Sequence, residues 1–514
     1  MTIGTTLRLT GVCLSLTPAV AASLPVAAAS LGDAEAALKR QQYEMAALML
    51  QPLAQRGDAR AQAQLGILTM QGLGVARNDS AAFEMLERSA RRGDAYGELA
   101  LAAFGMAKRP GADSYAKAET IFRKYAKQGN EYGQHGLGVL YLYGAGVQRD
   151  PETAARWFQR AADQNNPCAL SALAYLYDNG IGVRRDGTRA VRLYEQASTQ
   201  GFAIARNNLG TFYEGGRYVP LDYQKALALY TQAAGGGVGQ ANTNVGRMYL
   251  HGLGVPVDLK LANTWLLKGM RAGDPHAYAE LGNLAYQGID GKADFVGALA
   301  WYRKAIALND AGGMTSMGYM YEWGRGVPKD DVAAANWYRQ GAERGNAPAQ
   351  AALGRFYLLG RGVPQSNAEG VRWLERAALQ GAPEAQRNLG WMYQEGKYVK
   401  VDYAASVRWL KPAAMAGDAR AQYDLAHAWY AGKGVPRDAR RGFAWNWLAA
   451  RRGYEFAQQQ LQRMSLGLPY DEQVQGRQAA ERWQIGRDIV LADKPVGYGG
   501  LSAFNLNAPF SPGH

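Results

Sequence analysis

The residues Gly144-Ala145-Gly146-Val147, followed by a run rich in small side chains, are of the types a phosphate-binding loop uses. Such a loop aims backbone N–H groups at an anion from a helix start, and its glycines let the chain approach closely. A dinucleotide site needs that loop once, after a strand. Here Gly-x-Gly-Val returns at 72–75, 180–183, 252–255, 324–327, 360–363 and 432–435, and Gly-x-Tyr-Val stands at 216–219 and 396–399. Because the loop is periodic, it reads as punctuation between helices and not as a phosphate cradle.

Other chemistry is equally thin. His135, His251, His276, His427 and His514 form no His-Glu-x-x-His helix and no His/Cys ligand cluster. No Gly-x-Ser-x-Gly elbow is present. Asp79, Asp150, Asp186, Asp222, Asp258, Asp330, Asp402 and Asp438 recur at one place in the period, where a carboxylate caps the start of a helix. The expectation is therefore a non-enzyme with no catalytic residue, no metal and no cofactor.

The elements that would position any site follow from the period. Leu-Gly pairs set a repeat of 36 residues, with eleven consecutive units from Asp58 to Gly453 and a degenerate second unit at 94–129. In the unit starting at Asn130, Leu137 and Tyr141 share a face of a first helix. Gly138 suits close approach of a neighbouring helix, and Gly144 ends the helix with positive φ. Asp150 and Pro151 then start a second helix, whose apolar stripe is Ala154, Trp157, Phe158 and Ala161. The unit closes at Asn165, where Gly201, Gly237, Gly273, Gly345 and Gly381 stand in other units. Trp157, Trp265, Trp301, Trp337, Trp373, Trp409 and Trp445 share one slot, read as core packing between repeats.

A helix pair cannot bury its stripe alone, so the pairs must stack. The expected fold is all-α: a right-handed α-solenoid superhelix of 36-residue helix-turn-helix repeats. Residues 31–57 are expected as an N-terminal capping helix pair, 58–453 as the repeats and 454–487 as C-terminal capping helices. Residues 488–514 are expected as an irregular or disordered tail.

Composition bounds the partners. The chain has 514 residues, 48% apolar and 20% charged, with a net charge of +13. Basic residues come at most in pairs, such as Arg91-Arg92, which argues against a nucleic-acid tail. The excess charge marks a soluble surface with some attraction for anionic partners. Residues 1–30, "MTIGTTLRLTGVCLSLTPAVAASLPVAAAS", read as a secretory signal peptide with Ala-x-Ala sites at 19–21 and 27–29. Val12 before Cys13 argues against lipid attachment, and no later run is apolar enough to span a membrane. After cleavage Cys168 is the remaining cysteine, read as a small buried residue with no internal disulfide.

The phrases "ALSALAYLYDNGIGVRRDGTRAVRLYEQASTQG" and "AQAALGRFYLLGRGVPQSNAEGVRWLERAALQG" resemble the Sel-one-like repeat, a relative of the tetratricopeptide repeat. The resemblance covers about four-fifths of the chain. It implies adaptors that hold protein complexes together, some of them periplasmic scaffolds in exopolysaccharide secretion. A cysteine-rich branch linked to β-lactams is a poor match, because the cysteines of that branch are missing here.

Binding is expected on positions that packing does not require. Unit positions 7, 10 and 14 vary along the first helices and lie at i, i+3, i+7. They hold Tyr143; Asn208 with Thr211; Asn244, Arg247 and His251; Ser316, Tyr319 and Trp323; and Asn388, Trp391 and Glu395. The leading expectation is a periplasmic or secreted non-enzymatic scaffold for envelope or periplasmic proteins. The alternative is a binder of cell-wall glycan or acidic exopolysaccharide. Neither reading involves nucleic acid or a transmembrane span.

Overall fold

The computed structural model describes residues 29–40, 42–483 and 487–491. The expected signal peptide falls almost wholly outside them, as does the tail beyond 491. The described residues form twenty-six helices and no strand, arranged as successive helix pairs, so the fold is an α-solenoid.

Capping explains where the helices begin and end. In the repeat 130–165, the Asn130 side chain accepts from the Tyr132 and Gly133 N–H groups and starts Glu131–Tyr143. Gly144 ends that helix at φ 69, in the left-handed region. Asp150 accepts from the Thr153 N–H at 2.9 Å and starts Pro151–Asp163. Asn165 closes the repeat at φ 66. The expected carboxylate caps at Asp186, Asp222, Asp258, Asp330, Asp402 and Asp438 are all made. Asp79 is the exception. Asn78 caps Asp79–Arg91, and Asp79 sits one residue inside, paired with Arg77 and Lys108. The degenerate repeat is still a helix pair, Ala95–Lys108 and Ala112–Lys127.

Gly138 does what close packing asks of it. A methyl group there would lie 2.6 Å from the Phe158 ring of the same repeat. The contact recurs as Gly210 with Tyr230, Gly282 with Tyr302, Gly318 with Tyr338 and Gly390 with Leu410. Each large side chain is thus driven against bare backbone, and Phe158, Tyr230 and Leu410 are fully buried. That geometry corrects the reading of the tryptophan slot. Trp373, Trp409 and Trp445 are buried, but Trp157, Trp265, Trp301 and Trp337 are half-exposed. The reason is angular: the residue after the tryptophan points at the glycine, which leaves the indole at the edge of the stripe. Arg160, Lys268 and Lys304 cover three of those edges at 4.7, 4.2 and 4.3 Å.

The second glycine of each loop packs on the preceding repeat. A methyl at Gly182 would lie 2.2 Å from the Pro151 carbonyl oxygen. Tyr218 takes that place in the repeat 202–237, with φ 64, and its ring covers Gly187, the first residue of Gly187–Thr199. A methyl at Gly187 would lie 2.1 Å from that ring.

The chain divides into two compact units. One holds the described residues up to Tyr218, with Asp222–Val257 and Arg271–Gly273. The other holds Val219–Leu221, Asp258–Met270 and the described residues from Asp274 onward. Within the first unit, Leu73 of the first repeat reaches Gly237 at the end of the fifth.

Helical pairs also flank the repeats among the described residues: Leu31–Lys39 with Tyr43–Gln55, and Glu455–Gly467 with Tyr470–Glu481. Ser30 and Asp33 form a capping box on the first of these helices. Ile489 is buried against the cluster of Trp445 and Leu448, and Asp488 pairs with Lys411 at 2.5 Å. Cys168 is buried, as expected.

Candidate interaction surface

Capping and glycine contacts set each first helix against its second helix, and some neighbouring first helices also touch. In the second unit His276–Gln287 meets Ala311–Trp323, and Pro383–Glu395 meets Ala419–Ala431. Between Ala311–Trp323 and the next two first helices, Ala347–Leu359 and Pro383–Glu395, the repeats are joined through the second helices Asp331–Glu343 and Asn367–Leu379.

In the second unit Tyr319 and Trp323 are exposed aromatics of the expected row, at 43% and 56% of full exposure. Their ring centroids are 6.0 Å apart, and Tyr319 meets Tyr286 of the preceding repeat edge-on at 6.0 Å. Leu359, the next repeat's equivalent of Trp323, is 52% exposed. Trp391 differs: it is half-buried against the cluster containing Leu389, Met392 and Trp409, so it fills a gap between repeats. Its outer side lies near Lys397, 5.4 Å from the ring centroid. Asn388 is half-buried and Glu395 exposed.

Behind Tyr319 and Trp323 lies a buried polar lock. The Glu322 carboxylate accepts from the Tyr338 hydroxyl at 2.7 Å within its own repeat. It also accepts two bonds from Arg355 of the next repeat, at 2.8 and 2.9 Å, and one from Arg361 at 2.9 Å. Arg361 also donates to Asp331 at 2.6 Å. Burial alone would raise the Glu322 carboxyl, but the bonds from Arg355, Tyr338 and Arg361 outweigh it and hold the group ionised. Burial, reinforced by Glu322, pushes the Tyr338 hydroxyl the other way, so it stays protonated.

The lock recurs in the first unit. Glu214 accepts from the Tyr230 hydroxyl at 2.7 Å and from Arg247 of the next repeat at 2.6 Å. Asp178 pairs with Arg217 at 3.3 Å. Sequence reasoning missed these acids, although Asp178, Glu214 and Glu322 all stand at the thirteenth position of their units. The signal was a coupled pattern: that acid, a tyrosine in the second helix, and an arginine in the next repeat.

The lock and its surroundings reassign part of the expected row. Arg247 is engaged with Glu214, so it joins repeats. Asn244 is buried and donates to Asn207 at 3.0 Å. Asn208 is half-buried beside Asn207 and the Tyr194 hydroxyl, each at 3.4 Å. His251 is exposed. Tyr143 is half-buried, and burial, with Tyr175 nearby, holds its hydroxyl up to about 12. In the second unit Tyr319, Trp323 and Leu359 are the part of the row that reaches solvent with apolar surface; in the first unit Tyr175, at the position of Tyr319, is also exposed.

Two further charged groups face the repeat joints. Asp310 caps Ala311–Trp323 and ion-pairs with His276 of the preceding repeat. That bond, opposed by burial and helped by the charges of Asp310, Asp274 and Glu280, raises His276 to about 9. Asp424 is buried with Oδ2 unpaired, and burial raises its carboxyl to about 6 despite Arg420 and Arg387. Among the described residues there is no cluster of three metal-ligating side chains, and no helix is long and apolar enough to cross a membrane.

The Sel1 repeat profile matches ten segments: 59–94, 131–166, 169–202, 203–238, 239–274, 275–310, 311–346, 347–381, 383–418 and 419–454. The stretch left unmatched between the first two is the degenerate repeat. No curated protein matches the chain. Among solved structures, c5321, a protective antigen of uropathogenic Escherichia coli strains displaying an SLR fold, is 29% identical, with 88% of this chain and 99% of that one covered and a TM-score of 0.41. A Sel1 repeat protein from Oxalobacter formigenes is 33% identical, with 60% of this chain and 89% of that one covered and a TM-score of 0.39.

Proposed function

The chain belongs to the Sel1 repeat family, and on that premise we propose that it is a non-enzymatic periplasmic scaffold that holds partner proteins in the cell envelope. Sel1 repeat proteins commonly act as protein-interaction scaffolds. The observation that carries the reading is the exposed Tyr319–Trp323 pair, set on a helix that the Glu322 lock ties to the next repeat. Large aromatics on a rigid backing lose little side-chain entropy on binding, which is the character of a protein hot spot. The leader-like first thirty residues support the compartment.

The test is in-cell cross-linking of the full-length protein and of Y319A/W323A, with affinity purification from periplasmic and membrane fractions. A few envelope proteins should be recovered in fixed ratio with the native chain and lost with the variant, while circular dichroism and melting stay unchanged. Recovery of glycan alone would move the function to polysaccharide binding. Recovery only from cytosol would overturn the compartment.

A further inference from the structure

Resting on the scaffold reading, we propose that the surface from Tyr286 to Lys397 takes an extended acidic segment of the partner protein, one that alternates carboxylates with apolar side chains. The first observation is the residue between the two loop glycines, or between Gly396 and Tyr398. In the second unit it is Arg325, Arg361, Lys397 and Lys433 in consecutive repeats, with Ile289 at that place in the repeat 274–309. In the first unit the same place holds Leu73, Ala145, Ile181 and Leu253, with Arg217 and, in the degenerate repeat, Arg109 the exceptions. The basic ladder therefore belongs to the unit that also exposes Tyr319, Trp323 and Leu359.

The cations stand beside the aromatics. Arg325 lies over Phe295 at 5.6 Å. Lys397 lies over Trp391 and Tyr398 at 5.4 and 5.3 Å. The acids that could cancel this charge are partly withdrawn. Glu322 is only 1% exposed, whereas its partner Arg355 is 44% exposed, so the surface presents the guanidinium and hides the carboxylate. Arg361 shares itself between Glu322 and Asp331. Glu395, exposed at the far end, closes the row.

Spacing selects the ligand. Stacked helix layers are about 10 Å apart, and an extended peptide advances about 3.3 Å per residue. One cation per repeat then matches one carboxylate about every third residue, with apolar side chains between them for Trp323 and Leu359. The aliphatic Leu359 in mid-row favours a peptide over a sugar chain, which stacks on aromatic faces. Charge complementarity of this kind sets on-rate and specificity.

The experiment uses fluorescein-labelled peptides of about twelve residues with the full-length protein, read by fluorescence anisotropy. One peptide has Asp or Glu at every third position and Leu or Phe between; a second replaces the acids by Asn and Gln, and a third by Lys. The acidic peptide should bind at least about tenfold tighter than the neutral one, lose that advantage at high salt, and lose it in R325E/K397E. R325Q/K397Q, checked by circular dichroism, gives the same reading if the reversed variant fails to fold. Equal binding of all three peptides, or no effect of either variant, overturns the proposal. So does full competition by polygalacturonate or by phosphatidylglycerol vesicles at charge-matched concentrations, which would assign the cations to a polysaccharide or a membrane. If Y319A/W323A loses envelope partners while R325E/K397E keeps them, the acidic-segment proposal falls and the scaffold reading stands.

Discussion

Glu322 and Arg355 form a two-bond ion pair across the joint between consecutive repeats, at 2.8 and 2.9 Å, with the carboxylate buried and the guanidinium reaching solvent. The pair does two things at once. It fixes the angle between repeats, and it turns the positive end outward beside Tyr319 and Trp323.

Removing the acid should loosen that joint. In E322A, Arg355 and Arg361 lose their shared acceptor, and the Tyr338 hydroxyl is left buried without its partner. The expected loss is about 1–3 kcal/mol, discounted from a fully buried pair because both arginines are partly exposed. Repeat proteins unfold locally, so hydrogen exchange is the measure: protection should fall in repeats 310–381 and not in 58–165. Uniform loss, or none, would mean the lock does not tie the joint.

Tyr218 and Gly187 should be energetically coupled. G187A improves helix propensity by about 1 kcal/mol but drives a methyl into the Tyr218 ring, with overpacking of about 1–3 kcal/mol. Y218G relieves the positive φ and removes the ring. The double variant should therefore be more stable than G187A alone, with a coupling of about 1 kcal/mol or more in a urea-melt cycle. Additive effects would deny the contact.

His276 gives a pH signature on the alkaline side. Its folded value is raised from 6.5 to about 9. Its contribution is therefore complete below about 6.5 and disappears as pH rises through 9. The His276 side chain is 60% exposed, so solvent screening should keep the effect under about 1 kcal/mol. Nuclear magnetic resonance should find one histidine titrating near 9, absent in H276Q, and H276Q should flatten the melting-temperature profile between those limits.

Asp424 acts in the opposite sense for stability. Its folded value is raised from 3.8 to about 6, so ionisation strains the fold as pH climbs through 4 to 6, and the strain persists at neutral pH. D424N should therefore stabilise the protein at pH 7, by up to about 3 kcal/mol, and change little at pH 3.5. Destabilisation at neutral pH would show that the carboxylate has a partner in solution.

The repeat was legible in the sequence because its determinants are local. Capping at Asp150, chain reversal at Gly144 and the four-residue spacing of Leu137 and Tyr141 act within one or two helical turns, and each recurs often enough to be read against the others. Gly138 could be assigned to close approach before its partner was known. The tryptophan slot was read only in part, since Trp157 and Phe158 are adjacent on the apolar stripe. Which one becomes fully buried depends on the angle at which Gly138 receives the second helix.

The interaction row needed the tertiary structure for the same reason. Asn244, Arg247, Tyr319 and Trp323 vary together along one face, and sequence periodicity alone treats them alike. Stacking separates them. Arg247 finds Glu214 across a joint and Asn244 is buried against Asn207, while Tyr319 and Trp323 remain at the surface. The sequence by itself determined the helices, their caps and the period, because those depend on neighbours in the chain. Only the packed array decided which polar side chains join repeats and which face a partner, because that depends on residues a full repeat away.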